Sequence, residues 1–379
     1  MKLALSILCE NPRRKTGLTT LFHEFVARGL KLFPEVRWLI FAGPDQEWGV
    51  ADARVEVNRA FPANDQINRR LFADHFQVPG VARALGADAL LTVGFVPARK
   101  TLPTAMHILS LQHLDPRNNM SFGRRLYRGW TTKFSWPKAD LALTNSRFAI
   151  EQIFSVCPEL AGRVVQSYEG LQHEQFHPAA TPDEPAQVER QFGLRPGYFL
   201  WTSNFYPYKQ ASLLIAGYAQ LPPEIRAAHP LVMVGADWDN GLAEARAQVA
   251  ALGIGADVKF LGWIEDAWLA PLYRQAAVFC LASREETFGR CVIEAMACGT
   301  PCVVNDIPIM REVTKERAVI TDFNDRAAVR QALLGAATDE ALRARLRAEG
   351  MVRAADFTFE KLVTERIRAI RRMLASKNL

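Results

Sequence analysis

Glu286 and Glu294, separated by seven residues, stand in the stretch of this chain richest in side chains suited to a charged, hydroxyl-bearing ligand. Residues 283–306 read Ser-Arg-Glu-Glu-Thr-Phe-Gly-Arg-Cys-Val-Ile-Glu-Ala-Met-Ala-Cys-Gly-Thr-Pro-Cys-Val-Val-Asn-Asp. The pattern predicts a polar loop after a strand, a helix opening near Gly289, a glycine cap at Gly299, a stop at Pro301 and a returning strand. A helix N-terminus carries unpaired N–H groups and partial positive charge, which suits a diphosphate. Carboxylates beside a phosphate repel it, so Glu286 and Glu294 suit hydroxyls instead. A nucleotide-linked sugar has two hydroxyl sets, on the hexose and on the ribose.

This segment resembles the retaining glycosyltransferases of the GT-B fold, whose paired-glutamate motif reads Glu-x-Phe-Gly-x-x-x-x-Glu-Ala-Met-Ala-x-Gly-x-Pro. Every specified position is matched. The resemblance implies that Glu286 meets the hydroxyls of the transferred sugar and that Glu294 binds the ribose. It further implies that the backbone of Phe288, Gly289 and Arg290, with Thr287 beside them, lines sugar and diphosphate.

Further positions extend the likeness. Residues 202–209, Thr-Ser-Asn-Phe-Tyr-Pro-Tyr-Lys, resemble the family's diphosphate-gripping stretch. Lys209 matches its lysine, Asn204 stands where its arginine is usual, and Ser203 adjoins them. Arg290, Arg147 and Arg284 are the candidates to replace that arginine. Gly17, within Arg14-Lys15-Thr16-Gly17, resembles a glycine loop that meets donor phosphates, and an ordinary tight turn accounts for it equally. His113, in Gln112-His113, matches a histidine that faces the donor sugar. Ile264, in Gly262-Trp263-Ile264, matches a loop whose backbone reads the base. The implied catalytic set is His113, Lys209 and Glu286.

Short apolar runs alternating with amphipathic stretches must position these residues, a rhythm of β-α units and parallel sheets. Strands are expected over residues 3–8, 36–42, 89–93, 105–111, 141–144 and 164–167, and then over 198–203, 231–235, 258–261, 278–281, 302–304 and 318–321. Helices are expected over 18–30, 147–154, 209–220, 340–353 and 359–374. Pro178, Pro182, Pro185 and Pro196 mark a linker. The expected architecture is two Rossmann-like domains facing across a cleft: an acceptor domain (1–180), a donor domain (181–358) and a helix (359–379) crossing back to the first.

The 379 residues, 49% of them hydrophobic, suffice for two cores. No apolar run approaches the roughly 20 residues that span a bilayer. The start reads as a buried strand, because Leu8 stands where a cleavage site needs a small residue. A cytoplasmic location is therefore expected, with peripheral contact at the inner membrane face as an option. Six cysteines without a Cys-x-x-Cys pair indicate neither zinc nor disulfides. A net charge of +6 suits an anionic partner, and no nucleic-acid motif accompanies it.

Two patterns read as decoys. Asp237-Trp238-Asp239 has the spacing of a metal site but sits in a turn context before Asn240-Gly241, so no metal and no cofactor are expected. Leu126, Trp130 and Phe134 share one helical face, read as core with membrane contact as the alternative.

The resulting expectation is a retaining hexosyltransferase, with mannose from GDP-mannose as donor sugar and a glycan or lipid-linked hydroxyl as acceptor. A UDP-hexose donor is the alternative. A nucleotide-sugar epimerase and a non-catalytic sugar-binding protein of the same fold are the rivals. A dehydrogenase is disfavoured, since no Gly-x-Gly-x-x-Gly follows a strand.

Overall fold

A computed structural model describes residues 1–10, 17–109, 111–115, 117, 120–237 and 240–377. Contacts divide the chain into two units: Met1–Gly170 with Phe359–Leu379, and Leu171–Thr358.

The first unit is built on a parallel sheet of β1 (Lys2–Ser6), β2 (Arg37–Phe41), β3 (Val55–Asn58), β4 (Ala89–Val93), β5 (Thr104–His107), β6 (Leu141–Thr144) and β7 (Val164–Gln166). The order is β3-β2-β1-β4-β5-β6-β7. Both faces are covered, so alternate side chains enter two cores. Leu3, Leu5, Trp38 and Ile40 pack with Phe22 and Phe25 of helix Gly17–Leu32 and with Leu362, Ile367 and Ile370 of helix Phe359–Ala375. Ala4, Leu39 and Phe41 face Val78 and Ala82 on the other side.

The second unit repeats the plan with β8 (Phe199–Thr202), β9 (Leu231–Val234), β10 (Val258–Gly262), β11 (Val278–Leu281), β12 (Cys302–Asn305) and β13 (Val319–Thr321), in the order β10-β9-β8-β11-β12-β13. In each sheet the strand order reverses beside its first strand, between β1 and β4 and between β8 and β11. Ligands of open parallel sheets bind where such a reversal opens a crevice at the carboxyl ends of the strands.

The contact division falls at Gly170/Leu171, earlier than the proline-rich interval at 180. The physical reason is local: Phe176 packs edge-on against Tyr273, with centroids 6.1 Å apart, and Arg274 donates to the His177 carbonyl at 3.1 Å. Segment 171–180 is thereby held to the second unit. The strand expected over 105–111 ends at His107 and gives way to a 3-10 turn, Gln112–Leu114. β3 escaped the pattern because Val-Glu-Val-Asn is short and only partly covered at the sheet edge. No helix among the described residues is long and apolar enough to cross a membrane.

Candidate active site

β8 and β11 end side by side, and the loops that follow them bring the chemistry together in the second unit. After β8 the chain makes a 3-10 turn, Pro207–Lys209, and Gln210 then takes a left-handed conformation (φ 51°) before helix Ala211–Tyr218. Lys209 therefore ends a turn instead of opening the helix expected from 209. After β11 a loop runs to Gly289, whose φ of 85° caps helix Arg290–Ala297. That left-handed position favours glycine, and a Cβ there would sit 2.5 Å from the Met310 methyl.

Lys209 and Glu286, 77 residues apart in sequence, meet directly: Nζ donates to Oε1 at 2.6 Å. Both side chains are largely enclosed, 14% and 9% exposed. Burial by itself would lower the Lys209 ammonium pKa, but Glu286, with Tyr208 and Cys291, more than offsets it and holds the group above its ordinary value. Lys209 also lies over the Tyr208 ring, 5.2 Å from its centroid. The site thus holds a fixed cation at the switch point of the sheet.

Glu294 is buried on the second turn of helix Arg290–Ala297. Tyr273 Oη donates to its Oε2 at 3.1 Å, and Thr202 Oγ1, at the end of β8, lies 2.8 Å from the same phenol oxygen. With the phenol proton directed to Glu294, the Thr202 hydroxyl donates to Tyr273, giving a relay of two hydroxyls that sets the carboxylate. Burial first, and Glu294 second, push the Tyr273 phenol well above its ordinary value, so it stays protonated as a donor. Arg290 Nε stands 3.7 Å from Glu294 Oε1. Tyr273 and Thr202 were missed by sequence reasoning. A lone tyrosine in the buried row of helix Leu269–Gln275 gives no local signal of its partner.

Removing the Tyr273 hydroxyl (Tyr273→Phe) should raise the Kd for a nucleoside diphosphate roughly five- to tenfold, from about 1 kcal/mol of lost orientation. Calorimetry on the folded variant reads this. Unchanged affinity would detach Tyr273 from ligand binding.

The other expected positions fall as follows. Ser203 and Asn204 follow β8, and Asn204 Oδ1 accepts from Ala236 N at 3.2 Å, tying the β8 and β9 loops. That loop pair approaches so closely that a Cβ on Gly235 would lie 1.7 Å from the Ser203 carbonyl oxygen. Thr287 is half-buried, and Phe288 is buried with its ring edge-on to Phe357 at 5.5 Å. Ile264 is buried after β10 while its neighbour Trp263 is 70% exposed. Asp237 Oδ1 accepts from Leu242 N, in the first turn of helix Gly241–Ala251, at 3.0 Å. Trp238 and Asp239, completing that Asp-x-Asp, lie outside the described residues.

Gly17 and His113 belong to the first unit. Gly17 begins helix Gly17–Leu32, and Arg14, Lys15 and Thr16 before it lie outside the described residues. His113 borders a cavity of about 680 Å³ at the carboxyl ends of β1, β4 and β5, which Cys9, Gly94, Ile108, Tyr127 and Arg128 also line. Thr132 Oγ1 donates back to the Arg128 carbonyl at 2.9 Å and lies 2.9 Å from His113 Nε2. The His113 Nε2–H therefore donates to Thr132, which leaves Nδ1 as a bare acceptor. Burial, with Arg128 second, depresses the imidazole to about 4, so His113 is neutral at physiological pH.

The first unit also holds two buried histidines shifted the same way: His75, also to about 4 by burial and then Arg70, and His107, well below its ordinary value by burial and then Arg366. Their neutral forms are favoured by folding, so this stability is full above the unfolded pKa of 6.5 and is lost as pH falls through about 4. Buried Asp74, raised by desolvation, opposes the trend. Amide hydrogen exchange should show the first unit losing protection between pH 6.5 and 4, by on the order of 1–2 kcal/mol each for His75 and His113. Equal acid sensitivity in both units would refute the assignment.

Two α/β units with parallel sheets, each with a switch-point crevice, define the GT-B class of fold. The match to known proteins agrees. Residues 186–352 match the family model described as Glycosyl transferases group 1. The O-antigen chain mannosyltransferase B of Escherichia coli is 29% identical over 238 residues, 62% of this chain; the matched region spans 61% of that relative's length. Among solved structures, sucrose-phosphate synthase from Thermosynechococcus elongatus superposes over 99% of this chain and 100% of its own, with a TM-score of 0.78 at 19% identity. Anabaena HepE in complex with UDP and glucose covers 99% and 100%, with a TM-score of 0.71 at 19% identity. The family-model match thus lies within the second unit, and a mannosyltransferase is among the relatives of the chain.

Proposed function

We propose that this chain is a retaining glycosyltransferase that moves a hexose from a nucleotide-linked donor to an acceptor hydroxyl. The observation that carries the reading is the Lys209–Glu286 pair at 2.6 Å, beside a glycine-capped helix N-terminus at the switch point of the second sheet. Lys209 and that N-terminus would take the diphosphate, Glu286 the sugar hydroxyls and Glu294 the ribose. In the reaction the bond between the anomeric carbon and the diphosphate oxygen breaks, and the electron pair leaves with the nucleoside diphosphate. The acceptor oxygen bonds to the anomeric carbon on the face just vacated, and its proton passes to the departing phosphate. Lys209 and the backbone N–H groups stabilise the charge that grows on the leaving group. His113, neutral with Nδ1 as acceptor, would take a hydrogen bond from a sugar hydroxyl.

We assign the donor as GDP-mannose, with likeness to the E. coli mannosyltransferase as the support, and the acceptor as a glycan or lipid-linked sugar in the cytoplasm. A UDP-hexose is the second reading, favoured by the UDP and glucose held by HepE. The transfer is proposed to need no metal.

Thermal unfolding with GDP, UDP, ADP and dTDP, each with and without EDTA, tests this. A ligand at about a hundred times its Kd adds roughly 2.7 kcal/mol. The expected result is a rise in Tm with GDP alone, unchanged by EDTA. A UDP-selective rise would move the donor to the second reading, and no rise with any nucleotide would overturn the transferase reading.

A further inference from the structure

The helical face of Leu126, Trp130 and Phe134, read as core from the sequence, is exposed at 63%, 43% and 49%. Helix Phe122–Trp130 meets the protein through polar side chains instead. Tyr127 bonds His75 Nε2 at 2.9 Å, and Thr131 and Thr132 are buried, with their hydroxyls on the Arg128 carbonyl. Arg124 and Arg128, one turn apart on this helix, line the cavity of about 680 Å³ that His113 borders.

Those two guanidinium groups are unbalanced. Arg128 is half-buried, and neither arginine forms an ion pair among the described residues. Burial first, and Arg124 second, hold the Arg128 group below its ordinary pKa; the groups that oppose them are the Tyr127 phenol and the Cys9 thiol, not a carboxylate. Like charges four residues apart destabilise a helix, and a partly buried cation without a partner adds a desolvation cost. A third arginine on the wall, Arg70, is different. It donates to Asp74 at 3.2 Å and to Asn64 at 3.3 Å, so the protein itself satisfies it.

The chemistry of the wall narrows what could balance Arg124 and Arg128. No aspartate or glutamate is among the described residues that line the cavity. A neutral sugar offers hydroxyls, and a guanidinium can only donate to them, leaving its charge unmatched. A phosphate or carboxylate accepts from the guanidinium fork and cancels the charge as well. The cavity is also larger than one ion requires and falls in the range of small-molecule sites, about 300–1,000 Å³. Asn68, Ser121 and His113 supply uncharged polar groups around it, and Phe95 and Ile108 supply apolar faces, a mixture suited to a sugar ring.

We infer that the acceptor is an acidic sugar unit, with its phosphate or carboxylate held by Arg124 and Arg128 and its ring in the cavity of the first unit. Calling this ligand the acceptor rests on the transferase reading; its binding does not.

Calorimetry on the full chain without nucleotide tests this with mannose 6-phosphate, glucuronate, mannose and inorganic phosphate. One of the two acidic sugars should bind at least about tenfold tighter than mannose, with a Kd that rises with salt. Mannose 6-phosphate in that role would name a phosphate on the acceptor, and glucuronate a carboxylate. Arg124→Gln, at an exposed position, and Arg128→Met should each raise that Kd about tenfold and leave the Kd for GDP unchanged. Without ligand, neither variant should melt below the unaltered chain, because each removes one of two neighbouring like charges. The inference is overturned if neither acidic sugar binds more tightly than mannose, or if Arg124→Gln binds the acidic sugar as the unaltered chain does. Inorganic phosphate binding as tightly as mannose 6-phosphate would also overturn it, since the ring would then contribute nothing. Failure here beside a GDP-induced rise in Tm would leave the transferase reading standing. Acidic-sugar binding with no rise from any nucleotide would overturn that reading and leave the site.

Discussion

Replacing Glu286 with glutamine is expected to lower turnover by about three powers of ten while nucleoside diphosphate binding tightens a few-fold. The two effects have opposite signs because Glu286 faces two ways. As a hydroxyl acceptor it would orient the sugar, and an amide cannot replace a carboxylate accepting from two hydroxyls. As the partner of Lys209 at 2.6 Å it neutralises the lysine that the proposed function assigns to the diphosphate. Glutamine keeps the shape and removes the charge, so Lys209 is released to the phosphates. Steady-state kinetics and calorimetry on the same preparation separate these roles. Near-normal turnover, or weakened nucleotide binding, would sink the assignment.

Replacing Lys209 with methionine should raise the Kd for the nucleoside diphosphate by roughly one to two powers of ten, the range expected for losing charge-assisted hydrogen bonds. Turnover should fall as well, since the interaction strengthens as the leaving group gains charge. A second consequence follows from enclosure. With its side chain only 9% exposed, Glu286 would be left without its cation, and stability should drop by up to about 3 kcal/mol. Adding Glu286→Gln to Lys209→Met should restore most of the lost Tm and none of the turnover. A double variant as unstable as the single one would show that the pair contributes little, and unchanged nucleotide affinity in Lys209→Met would remove Lys209 from the site.

The two experiments bear on a departure seen at Asn204. Where the resembling family has an arginine, this chain uses an amide that joins the β8 and β9 loops. Under the proposed function the cationic load would then fall more heavily on Lys209, which is why its removal is expected to cost so much.

Local chemistry made much of this legible in the sequence alone. The helix from Arg290 is capped by Gly289 and stopped near Gly299 because backbone conformation at those positions depends on the residue itself and its nearest neighbours. Most strands could be read for a similar reason: a strand buried on both faces must be apolar throughout, and such a run is visible in one dimension. The crossing of the last helix to the first unit is different in kind. Its helical character was legible over 359–374, but that it packs on Leu3 and Trp38 follows from where the sheet lies.

What only the tertiary structure decided is nonlocal. Lys209 meets Glu286 because the sheet order sets β8 beside β11, and no spacing in the sequence encodes that adjacency. Tyr273 is tied to Glu294 by the same geometry. Helix Phe122–Trp130 is the plainest case. Its four-residue repeat says that one side is apolar, yet periodicity is the same whether that side meets a core or a membrane. The choice was made by its other side, where Tyr127, Thr131 and Thr132 find buried hydrogen-bond partners and leave the aromatic stripe facing outward.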